Sequence, residues 1–302
     1  DLALAAVGVD LGITSVGGNL DLTSSGMVSN SNTVQVTGTT TINAGGHAVD
    51  LTSENNDFGG AVTFTAALTA AVNDLNALEI GGNVAAGLTV TSGGATVLSN
   101  ADLGTLDITA GGDLSQVTDT GANVAGAVTI DAQSNSVDLS STTNDFQGAV
   151  SVTDARELKL GDVDSLILGT IAVQGDVDVN TAGDLTQQGA NALVISGNFD
   201  ANVGASNDVI LTHVGNAIGG DMTIGAVRDV TLKSGSELHM VSADISRNLT
   251  ITSTGRVYNM SGWTVAGDTT INAAGQNVEI TADHDFTGSV TVIAENLTIH
   301  DI

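Results

Sequence analysis

The side chains able to do chemistry are unevenly stocked in this chain. It carries 34 Asp and Glu against six Lys and Arg, for a formal charge of -28. Cys is absent, which excludes disulfides and metal–thiolate sites. The basic residues Arg156, Lys159, Arg228, Lys233, Arg247 and Arg256 are scattered over a hundred residues. Arg228 beside Asp229 is the best pair and reads as a surface ion pair. His47, His213, His239, His284 and His300 show no ligand spacing, so no metal site is expected. Clustered carboxylates suit Ca²⁺, yet neither Gly-Gly-x-Gly-x-Asp nor Asp-x-Asp-x-Asp-Gly occurs. That leaves diffuse binding of divalent cations to a solvated acidic surface. Tyr258 and Trp263 are the only Tyr and Trp. Exposed, they could stack on host-cell or matrix glycans. Burial is the reading taken here, because amphipathic aromatics fill irregular core corners. No catalytic residue and no cofactor is nominated, and the chain is read as a non-enzyme. Nucleic acid is excluded as a partner, since phosphate binding needs a basic face.

The elements that position these residues are read from what the chain lacks and repeats. It has no Pro, where average usage would supply about 15. Aromatics make up 2 %, while 41 % of residues are hydrophobic and Gly reaches 38. The longest strongly apolar stretch, 165–174, is about half a bilayer-crossing helix, so no membrane insertion is expected. The chain opens directly on patterned sequence at Asp1 and is read as a processed product or an excised section.

Repeats are plain. TINAGGHAVDLTSENNDFGGAVTFT at 41–65 returns as TIDAQSNSVDLSSTTNDFQGAVSVT at 129–153 and as TINAAGQNVEITADHDFTGSVTV at 270–292. A degenerate copy at 208–224 has Ile218 where the others carry Phe58, Phe146 and Phe286. A finer unit, a small residue followed by alternating apolar positions, begins at Gly18, Gly38, Gly60, Gly87, Gly104, Gly126, Gly148, Gly175, Gly197, Gly220, Arg247, Gly267 and Gly288. Three of its steps, after Gly60, Gly148 and Gly220, are 27 residues and are read as a longer loop. Within a unit the period is two, as in Val49-Asp50-Leu51 and Val137-Asp138-Leu139, which sends aliphatics inward and carboxylates outward. Ala66 to Leu78 is the nearest thing to a helix and is read as loop and strand.

A short strand pair cannot cover its own apolar face, so such units must stack. The fold expected is an all-β, right-handed parallel β-helix (β-solenoid) of about 13 rungs of ~22 residues, forming one elongated domain over 1–302. Rungs about 4.8 Å apart give a rod roughly 60 Å long. Asn56-Asp57-Phe58, Asn144-Asp145-Phe146 and, with His284 for Asn, Asp285-Phe286 read as structural turns: the polar pair satisfies turn backbone and the Phe packs on the core.

The Asn-Asp-Phe-x-Gly-x-Val-x-Val element, with its Thr-Ile-Asn-Ala and Asp-Leu-Thr-Ser surroundings, resembles the shaft repeats of filamentous-haemagglutinin-like exoproteins, adhesins exported by two-partner secretion. The likeness spans 56–62, 144–152 and 285–292 and is one of shaft only. It implies an extracellular protein at a bacterial cell surface, a shaft or a biofilm-matrix or surface-fibre subunit, partnered by itself through end-to-end stacking. Two rival readings are a polysaccharide-processing enzyme on a β-helix and a salt-adapted surface-layer protein.

Overall fold

Aliphatic pairs flanking one polar residue dictate the local structure. Along Leu20–Ser24, positions 20, 22 and 24 are buried while 21 and 23 are exposed. The same alternation runs through Val34–Val36, Val177–Thr181 and Phe199–Asn202. Each strand leaves two open backbone edges, and in the interior of the stack parallel strands one coil away pair with them. The computed structural model describes all 302 residues and contains 35 strands and no helix. The fold is an all-β, right-handed parallel β-solenoid of about 15 turns. It forms two units, Asp1–Gly148 and Ala149–Ile302.

In the first unit the core is built of vertical columns. Leu2, Leu20, Thr40 and Val62 lie in one. Val9, Val28, Val49, Ala70, Leu88, Leu106 and Val128 form another. Val16, Val36 and Phe58 form a third. The second unit repeats the plan, with Leu158, Val177, Phe199, Met222 and Met240 in one column. Leu185, Val209, Val230, Leu249, Thr269 and Val290 make its neighbour. Val49, Leu51, Val137 and Leu139 all face inward, none more than 2 % exposed. Residues 66–74 lie in strand Val62–Asp74 and not in a helix.

The 27-residue steps are not long loops. Val62 stacks on Ile80, eighteen residues on, so a short coil closes inside the first step. The unit that begins at Gly87 then puts Leu88 over Ala70, in a different column from Val62. In the second unit Val150 stacks on Leu168, whereas Val177 lies over Leu158. Met222 stacks on Met240, while Leu249 lies over Val230. Each long step is therefore one eighteen-residue coil plus an advance of the motif to the neighbouring face. These hidden coils raise the expected 13 rungs to about 15.

The recurring Gly is explained by what lies beneath it. A Cβ on Gly197 would sit 2.6 Å from the Gly175 carbonyl oxygen, and one on Gly60 would sit 2.7 Å from that of Gly38. The residue after the Gly is often Asp or Asn, and its side chain accepts the backbone N–H of its counterpart one coil on. Asp176 takes the N–H of Asn198 at 2.8 Å, and Asn198 takes that of Asp221 at 2.9 Å. A second ladder climbs from Asp184 through Asp208, Asp229, Asn248 and Asp268 to Ser289. Backbone contact and side-chain ladder together leave no room for a methyl group. Gly197→Ala is expected to lower the unfolding free energy by about 2 kcal/mol in denaturant melts. Gly189→Ala, with open space around the new Cβ, should leave it unchanged.

Candidate functional site

The Asn-Asp-Phe corners are the most repeated polar feature. Asn56, Asn144 and Asn216 are all buried. Asn56 donates its amide to the Leu51 carbonyl at 2.8 Å, five residues back, which is the turn role read from the sequence. Its Oδ1 does something the sequence does not announce: it accepts the Val34 N–H at 2.9 Å and the Asn30 amide at 2.7 Å, one coil below. Asn144 repeats this, accepting from the Ala122 N–H and from Gln116, and donating to Leu139. Asn216 accepts from the Leu193 N–H and from Gln187, whose Oε1 takes its amide in return. Buried polar groups are tolerated because both lone pairs of each amide oxygen are used. Phe58, Phe146 and Phe286 pack inward at 1 %, 0 % and 7 % exposure. Asp57 and Asp145 are half-buried and accept from the Asn76 and Gln147 amides instead of from turn backbone, while the other Asp145 oxygen, Oδ1, is buried without a partner. Asp285 is exposed on its strand.

In the fourth corner His284 stands where the others have Asn. Its Nδ1 lies 2.9 Å from the Trp263 backbone nitrogen, and its Nε2 lies 2.9 Å from the Asn259 amide nitrogen. Trp263 is 1 % exposed, and its indole N–H donates to the Met240 carbonyl at 3.0 Å. It fills a coil and offers no face to a sugar. Tyr258 is enclosed differently. His239 stacks on one face with centroids 4.2 Å apart, and the Arg256 guanidinium covers the other at 4.0 Å. Burial and the neighbouring Glu237 push its hydroxyl above the usual tyrosine value. Arg256 is in turn held by Glu237 and Glu279. His239 is itself largely buried, with Nδ1 2.5 Å from Asp221 and Nε2 without a partner.

The ions fall along the ladders. Arg228 binds Asp208 through two N–H groups at 2.7 and 2.6 Å and comes within 4.0 Å of Asp184. It does not pair with its chain neighbour Asp229, as sequence adjacency suggested. That carboxylate lies 3.5 Å from Arg247. Arg228 and Asp229 both lie in the break between strands Asp221–Val227 and Val230–Ser234, where stacking sets Arg228 beside Asp208 of the coil below. The Arg228 hydrogen bonds hold the Asp208 carboxyl below the usual carboxylate range. No three His, Asp or Glu side chains converge on one point. A cleft of about 480 Å³ is lined by Thr118, Asp119, Asp138, Ser140 and their neighbours, and Asp138 is already bonded to Ser140.

Four successive segments, 1–65, 85–153, 155–225 and 227–293, match a family described as repeats of unknown function (DUF5649). Each match ends seven residues past Phe58, Phe146, Ile218 or Phe286, so the corners mark the repeat. No curated protein and no solved structure matches the chain significantly.

The corner amide is expected to be structural in a measurable way. Asn144→Ala would strand the Ala122 N–H and the Leu139 carbonyl in the core, lowering the unfolding free energy by about 3 kcal/mol. Denaturant melts that show no change would contradict the role given to the corner.

Proposed function

The chain belongs to this family of repeats, and on that premise we propose that it is a structural protein, the stiff acidic shaft of a bacterial surface adhesin or a subunit of a surface or biofilm-matrix fibre. One observation carries the reading: its recurring polar residues serve the stacking of coils. Corner amides, Asx ladders and glycines all spend their bonding capacity on the next coil. Arg228 and Arg256 follow suit, each clasping carboxylates one coil away. Extracellular placement and a role without catalysis go with this reading. So does a partner made of further coils added in line, either from a continuing chain or from another copy. Mechanics then replaces mechanism: ladders resist bending, and the acidic coat keeps neighbouring rods apart in solution. Electron microscopy of the purified protein tests it. The expected image is a rod of uniform width, and a rounded particle would count against it.

The acid coat makes its own demand. Asp178 and Asp200 occupy matched outward positions on stacked strands. Unit charges about 5 Å apart in water repel by roughly 0.8 kcal/mol before screening. Diffuse cations are proposed to relieve this strain, so the thermal midpoint should rise with ionic strength and with added divalent ions. An unchanged or lower midpoint in salt would argue against it.

A further inference from the structure

The fourth corner departs from the other three in a way that gives it a pH response. At Asn56, Asn144 and Asn216 two donors converge on one amide oxygen, which has two lone pairs to offer. At His284 the same two donors face two ring nitrogens. The Trp263 N–H points at Nδ1 and the Asn259 amide at Nε2. The Asn259 amide cannot turn to help. Its Nδ2 also donates to the Ser261 carbonyl, while its Oδ1 accepts the Thr281 N–H at 3.0 Å. A neutral imidazole has one lone pair for these two donors, and an imidazolium has none.

We propose that His284 is an acid-sensitive latch: taking up a proton sets two N–H groups against two N–H groups and opens the corner, exposing the chain's only tryptophan. The ring has no slack in which to adjust. It is fully buried, stacked on Phe286 with centroids 5.2 Å apart, and meets Trp263 edge-on at 5.2 Å.

The surrounding charges do not rescue the cation. Asp283 and Asp285 flank it on its own strand, and His300 and Asp301 come from the next. Asp283 already faces His300 at 3.1 Å, and Asp301 accepts the Phe286 N–H at 3.0 Å. Across the corner, the Glu279 carboxylate is held by Arg256. Burial dominates and holds His284 below the ordinary histidine value of 6.5, with Asp301 and Asp283 opposing and His300 reinforcing. The folded value lies below the unfolded one, so this contribution to stability is complete above about pH 6.5. It is lost as pH falls from there toward the folded value. That window opens above the range in which ordinary carboxylates titrate.

Trp263 is its own reporter. Emission of the full chain should shift reversibly to the red as pH is lowered from about 8 to about 5, with its midpoint below the ordinary histidine value of 6.5. His284→Asn restores the residue of the other corners, and its emission should stay constant over the same range. His300→Asn should keep the transition. A wild-type emission that does not move, or an H284N protein that shifts at the same pH, would overturn the proposal. Far-UV circular dichroism checks the fold of H284N at pH about 8. Were that variant unfolded, NMR titration of the wild-type ring decides: Trp263 resonances that move at a different pH from those of His284 would refute the latch.

Discussion

A β-strand of four or five residues cannot satisfy its own backbone, and that constraint shapes everything else in this protein. Each coil is short of partners above and below until another coil is laid over it in register. The need fixes the parallel arrangement, the spacing and the exclusion of proline, which has no N–H to give to such a ladder. It also fixes the side-chain plan. Once Leu106 lies opposite Val128, every second residue of both strands must be apolar, and the residues between them must face solvent.

Stacking alone does not set the height at which each corner turns. Buried amides and exposed carboxylates serve that purpose. The corner amides reach down one coil and tie a backbone N–H that the turn leaves unpaired, as Asn144 does for Ala122. Outside the core the Asx ladders do the same work in water, where their charges need neutralising only in places. Arg228 sits where Asp184 and Asp208 stack and answers both. Removing one partner from a buried set costs more than forming the set contributes, because the remaining group is left dry and unpaired. This asymmetry gives the corners their influence on which register is adopted.

Much of this was legible in the amino-acid sequence, because period-two alternation is a local signal. Val49, Leu51, Val137 and Leu139 face inward as the pattern requires, and the parallel solenoid follows from the repeat. The face on which each motif lies was not legible. The unit at Gly87 looks like the unit at Gly60, yet Leu88 stacks on Ala70, because a coil of eighteen residues intervenes. Long-range bonds were hidden for a related reason. Nothing local links Gln116 to Asn144 or Arg228 to Asp208, and only the coil length brings them together. A signal did exist for the ladders, since Asp or Asn follows the first residue of the repeat unit at Gly18, Gly175, Gly197, Gly220, Arg247 and Gly267. Trp263 was placed correctly by a packing argument, whereas the sandwiching of Tyr258 by His239 and Arg256 was not foreseen.

Equivalent outward residues of successive coils lie directly over one another, as Asp178 and Asp200 do. A chain without Cys is an ideal background for testing this with paired spin labels. Labels attached through cysteines at positions 178 and 200 should sit on strands about 4.8 Å apart and show strong spin–spin broadening. Labels at 178 and 223, two coils apart, should broaden less. Equal broadening from both pairs, or none from the first, would contradict in-register parallel stacking and the account built on it.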